Sequence, residues 1–289
     1  MPSTKYKYAY GLLANARIFA ESTVDFAGED RDEHWKFAVL HLATAIELLL
    51  KACLALKDHR SLVRGKVQVT DRQFDLGEFH SIGTDECVEK LRARGASLSG
   101  RQSAAITRLR NLRNRVAHYI SVDNTNQMKA AIAAGLNVFI EINNAHFPDE
   151  DPYRARTMSQ LIVDLNEYDE FVTERLMYLS DQLRSATRPR THHTDECPRC
   201  FQDATIIVND KIQCLFCGDG VTVKEFAENI SEDHSVSVCG DCGREAVARH
   251  KYEDDEPTYE CFCCGRFTGP EPQWSNGEIP IPRLHPHRR

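Results

Sequence analysis

Four cysteine pairs, each with a two-residue gap, govern what the C-terminal third of this chain can fold into: Cys197/Cys200, Cys214/Cys217, Cys239/Cys242 and Cys261/Cys264. The gap lets one tight turn aim both thiolates at a single metal ion. Two such turns complete a tetrahedral site with Zn–S bonds of about 2.3 Å. Three of the four second cysteines are followed at once by glycine (Gly218, Gly243, Gly265), the residue that most readily takes the positive φ such a knuckle needs. Disulfides are the weaker reading, because repeated two-residue gaps without a secretory leader favour metal. The expectation is two structural Zn²⁺ ions per chain on these eight cysteines, paired either in sequence or cross-braced. Cys263 is the odd thiol of the cluster, a spare or a substitute for Cys261. Four thiolates close the coordination shell, so these metals are structural rather than hydrolytic.

The inserts between paired cysteines, 13 and 18 residues long, read as β-hairpins. Thr205–Val208 is strand-like, Asn209-Asp210 is turn chemistry and Lys211–Gln213 returns; Ala246–Tyr252 returns through Tyr259. The arrangement resembles a tandem of zinc ribbons. Charge limits what it touches. From residue 190 onward there are 11 Lys or Arg against 18 Asp or Glu, while residues 1–189 hold 25 of each. Filling two four-thiolate sites with Zn²⁺ adds about −4 more. Such a surface repels nucleic acid at long range and suits a subunit interface or a protein partner.

Before the cysteines the pattern is helical. Helices are expected at Tyr8–Phe26, Glu33–Leu56, Thr84–Arg94, Ser103–Tyr119, Asn124–Asn144 and Met158–Arg184, with a short strand at Lys66–Thr70. The Glu33–Leu56 helix is apolar nearly all round. Its exceptions, His41, Thr44, Glu47 and Lys51, fall within a sector of about 120°. Charges inside this run argue for a buried helix rather than a membrane span, and the expected compartment is the cytoplasm. In the last helix Leu161, Leu165, Tyr168, Val172, Leu176, Leu179 and Leu183 form a stripe suited to a bundle core or a dimer seam. The expected plan is mainly α: a helical domain at 1–187, a linker at 188–196, a first ribbon at 197–230, and a second ribbon with its tail at 231–289.

Between Lys90 and Arg115 lie eight basic residues and no acidic one, the best candidate surface for a polyanion, with Arg101, Arg108 and Arg110 as expected RNA contacts. The same stretch ends in Arg113-Asn114-Arg115-Val116-Ala117-His118, followed by Tyr119. An arginine, a polar neighbour and a histidine are the parts needed to cleave an RNA phosphodiester without metal. Histidine can take the proton of an attacking 2′-hydroxyl or give one to the departing 5′-oxygen. Arginine stabilises the extra charge on the phosphorane. On a regular helix, however, Arg113 lies about 140° from His118. A two-fold dimer would relieve this by joining two copies of the segment in one composite site.

The string RNRVAH resembles the signature of HEPN domains, an arginine followed after four to six residues by a histidine, with a polar residue beside the arginine. The apolar helix carrying Ala45-Ile46-Glu47-Leu48-Leu49-Leu50-Lys51 suits the same resemblance, which covers roughly residues 8–185. It implies an all-α bundle that dimerises and acts as a metal-independent endoribonuclease, of the kind used as toxins or antiphage effectors. Carried over, it implies Arg113 and His118 as catalytic and Asn114 as their orienting neighbour, with Glu47 and Lys51 at the family's polar positions on the preceding helix. Arg115, three residues before His118, is an alternative phosphate ligand, and Tyr119 is a supporting candidate that departs from the family, where some toxins carry a tyrosine two places after the histidine and this chain has Ile120. The alternative is a non-catalytic HEPN-like scaffold whose ribbons recruit a partner or antitoxin.

Overall fold

The computed structural model describes residues 4–29, 31–65, 67–96, 98–118, 124–147, 162–186, 196–208, 211–231, 234–250, 258–264 and 267–268. Tyr119, Lys66, Gly265, the start of the expected Met158–Arg184 helix and nearly all of the expected linker lie outside these residues. The chain is mainly helical with small sheets near its C-terminus. It divides into two compact units, Met1–Arg175 and Leu176–Arg289.

The first unit is organised around α2 (Asp32–Asp58), which packs against α1 (Thr4–Gly28), α4 (Thr84–Ala93), α5 (Gly100–His118) and α6 (Thr125–His146). Spanning about 40 Å at 1.5 Å per residue, α2 buries Trp35, Leu42, Ile46, Leu49, Leu50 and Leu54 almost completely. Each such side chain contributes about 1.5–3 kcal/mol relative to exposure. The segment Glu33–Leu62 is long and apolar enough to cross a membrane, and much of it is buried inside the unit.

The polar band on α2 finds partners. His41 meets Ser22 Oγ at 2.8 Å between the rings of Phe19 and Phe26, and burial holds its pKa below the ordinary value. Thr44 donates to the Leu40 carbonyl. Gly135 of α6 lets three helices close up. A Cβ there would meet methyls of Leu42 and Leu109, on α2 and α5.

Two expectations fail among these helical segments. No strand forms at 67–70; Thr70 instead caps a short helix, α3 (Asp71–Asp75), through a capping box with Gln73. The loop is closed by backbone hydrogen bonds from Arg64 to His80 and from Ile82 to Leu62. The expected continuous helix through residue 184 is broken at Tyr168, between a 3₁₀ turn at Leu165–Glu167 and α7 (Asp169–Ala186). Tyr168 is extended there because its hydroxyl donates to the Lys129 carbonyl at 2.7 Å and its ring packs on Trp35. Its own carbonyl then accepts from Phe171 and Val172, starting α7 with Asp169 and Glu170 in the first turn, where the helix dipole favours them. Leu165, Val172 and Leu179 of the expected stripe are buried.

In the second unit, β1 (Thr205–Val208), β2 (Lys211–Cys214) and β3 (Gly220–Thr222) form one antiparallel sheet. A second antiparallel sheet holds β4 (Val236–Val238), β5 (Glu245–His250), β6 (Thr258–Cys261) and β7 (Phe267–Thr268). Both expected hairpins are therefore present. Between the sheets runs α8 (Val223–Ile230), whose start is fixed by a capping box of Thr222 and Glu225. Its Val223, Phe226 and Ala227 share one core with Ile212, Ala246, Ala248, Cys261 and Phe262. The Phe226 and Phe262 rings meet edge to face at 5.1 Å. The two sheets are thus fastened to one helix.

Candidate active site and metal centres

Among the described residues, two groups of four cysteines bring their sulfurs within 4.8 Å of one another: Cys197, Cys200, Cys214, Cys217, and Cys239, Cys242, Cys261, Cys264. The pairing is therefore sequential, not cross-braced. Sulfur separations are 3.8 Å (Cys197 to Cys217) and 3.6 Å (Cys200 to Cys214) in the first centre, and 3.7 Å for both Cys239 to Cys264 and Cys242 to Cys261 in the second. A disulfide needs about 2.05 Å. A tetrahedron with metal–sulfur bonds near 2.3 Å gives edges of about 3.8 Å, so the thiols have the spacing that a four-coordinate metal requires.

The knuckles explain how the chain achieves this. In three of them the residue after the second cysteine returns its N–H to the carbonyl of the first: Phe201 to Cys197, Gly218 to Cys214, Gly243 to Cys239, at 2.8–2.9 Å. Each return needs positive φ, namely 57° at Phe201, 76° at Gly218 and 71° at Gly243. Phe201 thus holds a conformation better suited to glycine. Within the first centre, hydrogen bonds from Cys200, Cys214 and Cys217 push the Cys197 thiol far down. In the second, backbone N–H groups of Cys242 and Asp241 hold Cys239 at about 7. These two thiols favour the thiolate form, whereas neighbouring sulfurs push Cys200 and Cys214 up and burial pushes Cys261 up, so a bound metal would have to displace those protons.

The Arg113–His118 segment forms the last turns of α5, which buries Ala105, Ile106, Leu109 and Leu112. Arg113, Asn114, Arg115 and His118 are all exposed. Arg113 Nη1 donates to Asn114 Oδ1 at 3.2 Å. Among the described residues no carboxylate pairs with Arg113, and no hydrogen bond engages the His118 ring. The helix is unbroken through His118, so Arg113 and His118 stay about 140° apart within one chain, while Asn114 and His118 share a face.

The other expected arginines are engaged differently. Arg101 bonds to Glu174 at 2.6 Å, and Arg110 pairs with Asp85 in the first turn of α4. Arg108 is exposed beside a shallow groove that also includes Asp169, Glu170 and Glu174. The charge excess read along the sequence is thus partly neutralised in space. Lys51, nine-tenths buried, donates to Glu47 Oε1 at 2.7 Å and to Ser81 Oγ at 2.9 Å, while Thr84 Oγ1 donates to Glu47 Oε2 at 3.3 Å. Among the described residues this network ties α2 to the start of α4 and makes no bond to Arg113 or His118. Ser81, Thr84, Asp85 and Glu174 carry no pattern in sequence that marks them as partners; only the packing reveals them. No protein-family model, curated protein or solved structure matches this chain.

Proposed function

We infer that the chain is a metal-independent endoribonuclease of the HEPN kind, working as a homodimer in the cytoplasm, with zinc in its two four-cysteine centres. The observation that carries the reading is the end of α5, where Arg113, Asn114 and His118 stand exposed and, among the described residues, no carboxylate pairs with the arginine. In the proposed reaction one His118 takes the proton of a ribose 2′-hydroxyl as its oxygen attacks phosphorus. A second His118 protonates the departing 5′-oxygen, leaving a 2′,3′-cyclic phosphate and a 5′-hydroxyl. Arg113 holds the phosphorane oxygens. The unbroken helix favours sharing between two chains, because one chain presents the two groups on different sides. The purified protein is expected to cut single-stranded RNA in EDTA, and His118→Ala to abolish cutting; undiminished cleavage by that variant removes the proposal.

Zinc fits the sulfur spacing and the all-thiolate donor set. Elemental analysis of protein purified without chelator should give close to two zinc per chain, and iron in their place would correct the assignment. The acidic ribbon unit suits a protein partner, an antitoxin among the candidates, more than RNA. The ion pairs on Arg101 and Arg110 favour a second reading, a non-catalytic scaffold of the same fold. It predicts partner binding without cleavage.

A further inference from the structure

The run Arg110-Asn111-Leu112-Arg113-Asn114 sets the same arginine–asparagine pair twice on α5, three residues apart. In both pairs the arginine donates to its own asparagine: Arg110 Nη2 to Asn111 Oδ1 and Arg113 Nη1 to Asn114 Oδ1, each at 3.2 Å. Residues three apart on a helix are surface neighbours, with Cβ atoms about 5–6 Å from each other. On a regular helix Asn111, Asn114 and His118 also fall within about 60° of one another. The pairs differ in what the guanidinium holds. Among the described residues no carboxylate pairs with Arg113, whereas Arg110 Nη1 donates to Asp85 Oδ1. The Asp85 side chain is 67% exposed, and ion pairs at the surface contribute little to stability. Arg101 is built differently, because Gln102 beside it turns to Glu141 instead.

We propose that Arg110 with Asn111 is a second phosphate-binding site for RNA, one helical turn before Arg113, and that Asp85 is a resident anion which the strand displaces. The proposal rests on the ribonuclease reading and adds to it the phosphate next to the scissile one. The Asp85 carboxylate offers the guanidinium the charge and the oxygen acceptors that a phosphodiester offers. Exchanging one for the other keeps Arg110 paired and returns to water a carboxylate that is already mostly exposed. The asparagine holds one terminal nitrogen of the guanidinium in either case, so little ordering remains to be done when the phosphate arrives. Until then Asp85 cancels one positive charge on α5. Only a single strand that spans both sites gains the second contact, so a mononucleotide is a poor ligand and a longer strand a good one.

The test measures binding of a short, fluorescein-labelled, mixed-sequence single-stranded RNA to the full chain carrying His118→Ala, so that the strand stays intact, over a range of salt concentrations. Asp85→Asn should tighten binding several-fold at low salt. It should also steepen the dependence of log K on log salt by about 0.7, one more cation being free to meet a phosphate. Glu89→Gln, which removes an exposed charge one turn along the same helix, should gain distinctly less. Arg110→Gln should weaken binding several-fold and cancel the gain of Asp85→Asn when the two are combined. Unchanged affinity in a well-folded Asp85→Asn protein, an equal gain from Glu89→Gln, or a gain that survives Arg110→Gln overturns the proposal. If Asp85→Asn folds poorly, Arg110→Gln decides alone: a merely structural ion pair would move the melting midpoint and leave RNA affinity as it was. Protein that binds no RNA even at low salt sinks the ribonuclease reading and the second site together; RNA held equally by every variant sinks only the second site.

Discussion

Gly135 of α6 packs so closely against Leu42 of α2 that a Cβ at position 135 would stand 2.8 Å from the Leu42 Cδ2 methyl. The Leu109 Cδ2 methyl, from a third helix, would be at 3.3 Å. Both leucines are buried and have little room to yield. Replacing a helical glycine by alanine ordinarily gains up to about 1 kcal/mol, but overpacking costs about 1–3 kcal/mol. Gly135→Ala should therefore lower stability in urea unfolding by about 1 kcal/mol. Gly11→Ala, on an exposed face of α1 with open space around it, should raise it by up to about 1 kcal/mol.

The Lys51–Glu47 pair should matter for stability rather than cleavage. Removing Glu47 leaves a buried ammonium with Ser81 as its remaining partner. Breaking a fully buried pair costs about 3–5 kcal/mol. The Glu47 side chain is 39% exposed, so solvent screening lowers the expectation for Glu47→Ala to about 1–2 kcal/mol. Lys51→Met should be milder, because it removes the charge and keeps the packing. If the endoribonuclease reading holds, Lys51→Met should cut RNA within a few-fold of wild type. A complete loss in a well-folded Lys51→Met protein would place that lysine in the chemistry.

Mixing two inactive chains tests the shared site directly. Arg113→Ala and His118→Ala should each lower single-turnover RNA cleavage by about 10²-fold or more. Co-expressed with separate affinity tags and purified as the mixed dimer, they still offer one arginine and one histidine across the axis. Partial return of activity is expected. A site built within one chain would give none.

Phe201 sits at φ 57°, where the two equivalent knuckle positions carry glycine. Its side chain is 68% exposed, so little burial is lost on removing it. Phe201→Gly should relieve about 1 kcal/mol of backbone strain, offset in part by glycine's greater freedom when unfolded. Chelator competition should show tighter metal retention in the first centre. Weaker retention would mean that the phenyl ring contributes something the backbone does not reveal.

Much of this could be read in advance because it is encoded locally. Cysteine spacing identified both four-thiol groups, and the alternation around Asn209-Asp210 marked the first hairpin. The apolar density of Glu33–Leu56 marked the helix at the centre of the first unit. The break at Tyr168 could not be read, because Leu165, Tyr168 and Val172 keep helical spacing across it and the cause is a hydrogen bond to Lys129 far away in sequence. Helix α8 did leave a signal that went unread: Thr222 with Glu225 is a capping box, and Val223, Phe226, Ala227 and Ile230 follow at helical intervals. The basic excess from Lys90 to Arg115 was legible as charge along the chain, but its neutralisation by Asp85 and Glu174 depends on packing.

The helix between the two small sheets sets where the chain can be cut. A fragment ending after Ile230 would leave Phe226 without Phe262, and one beginning at Val236 would strip Ala246 and Ala248 of their cover. Either half would present an oily face to water and aggregate. Truncation, grafting or exchange of this region should therefore treat the pair of four-cysteine knots as one inheritable cassette.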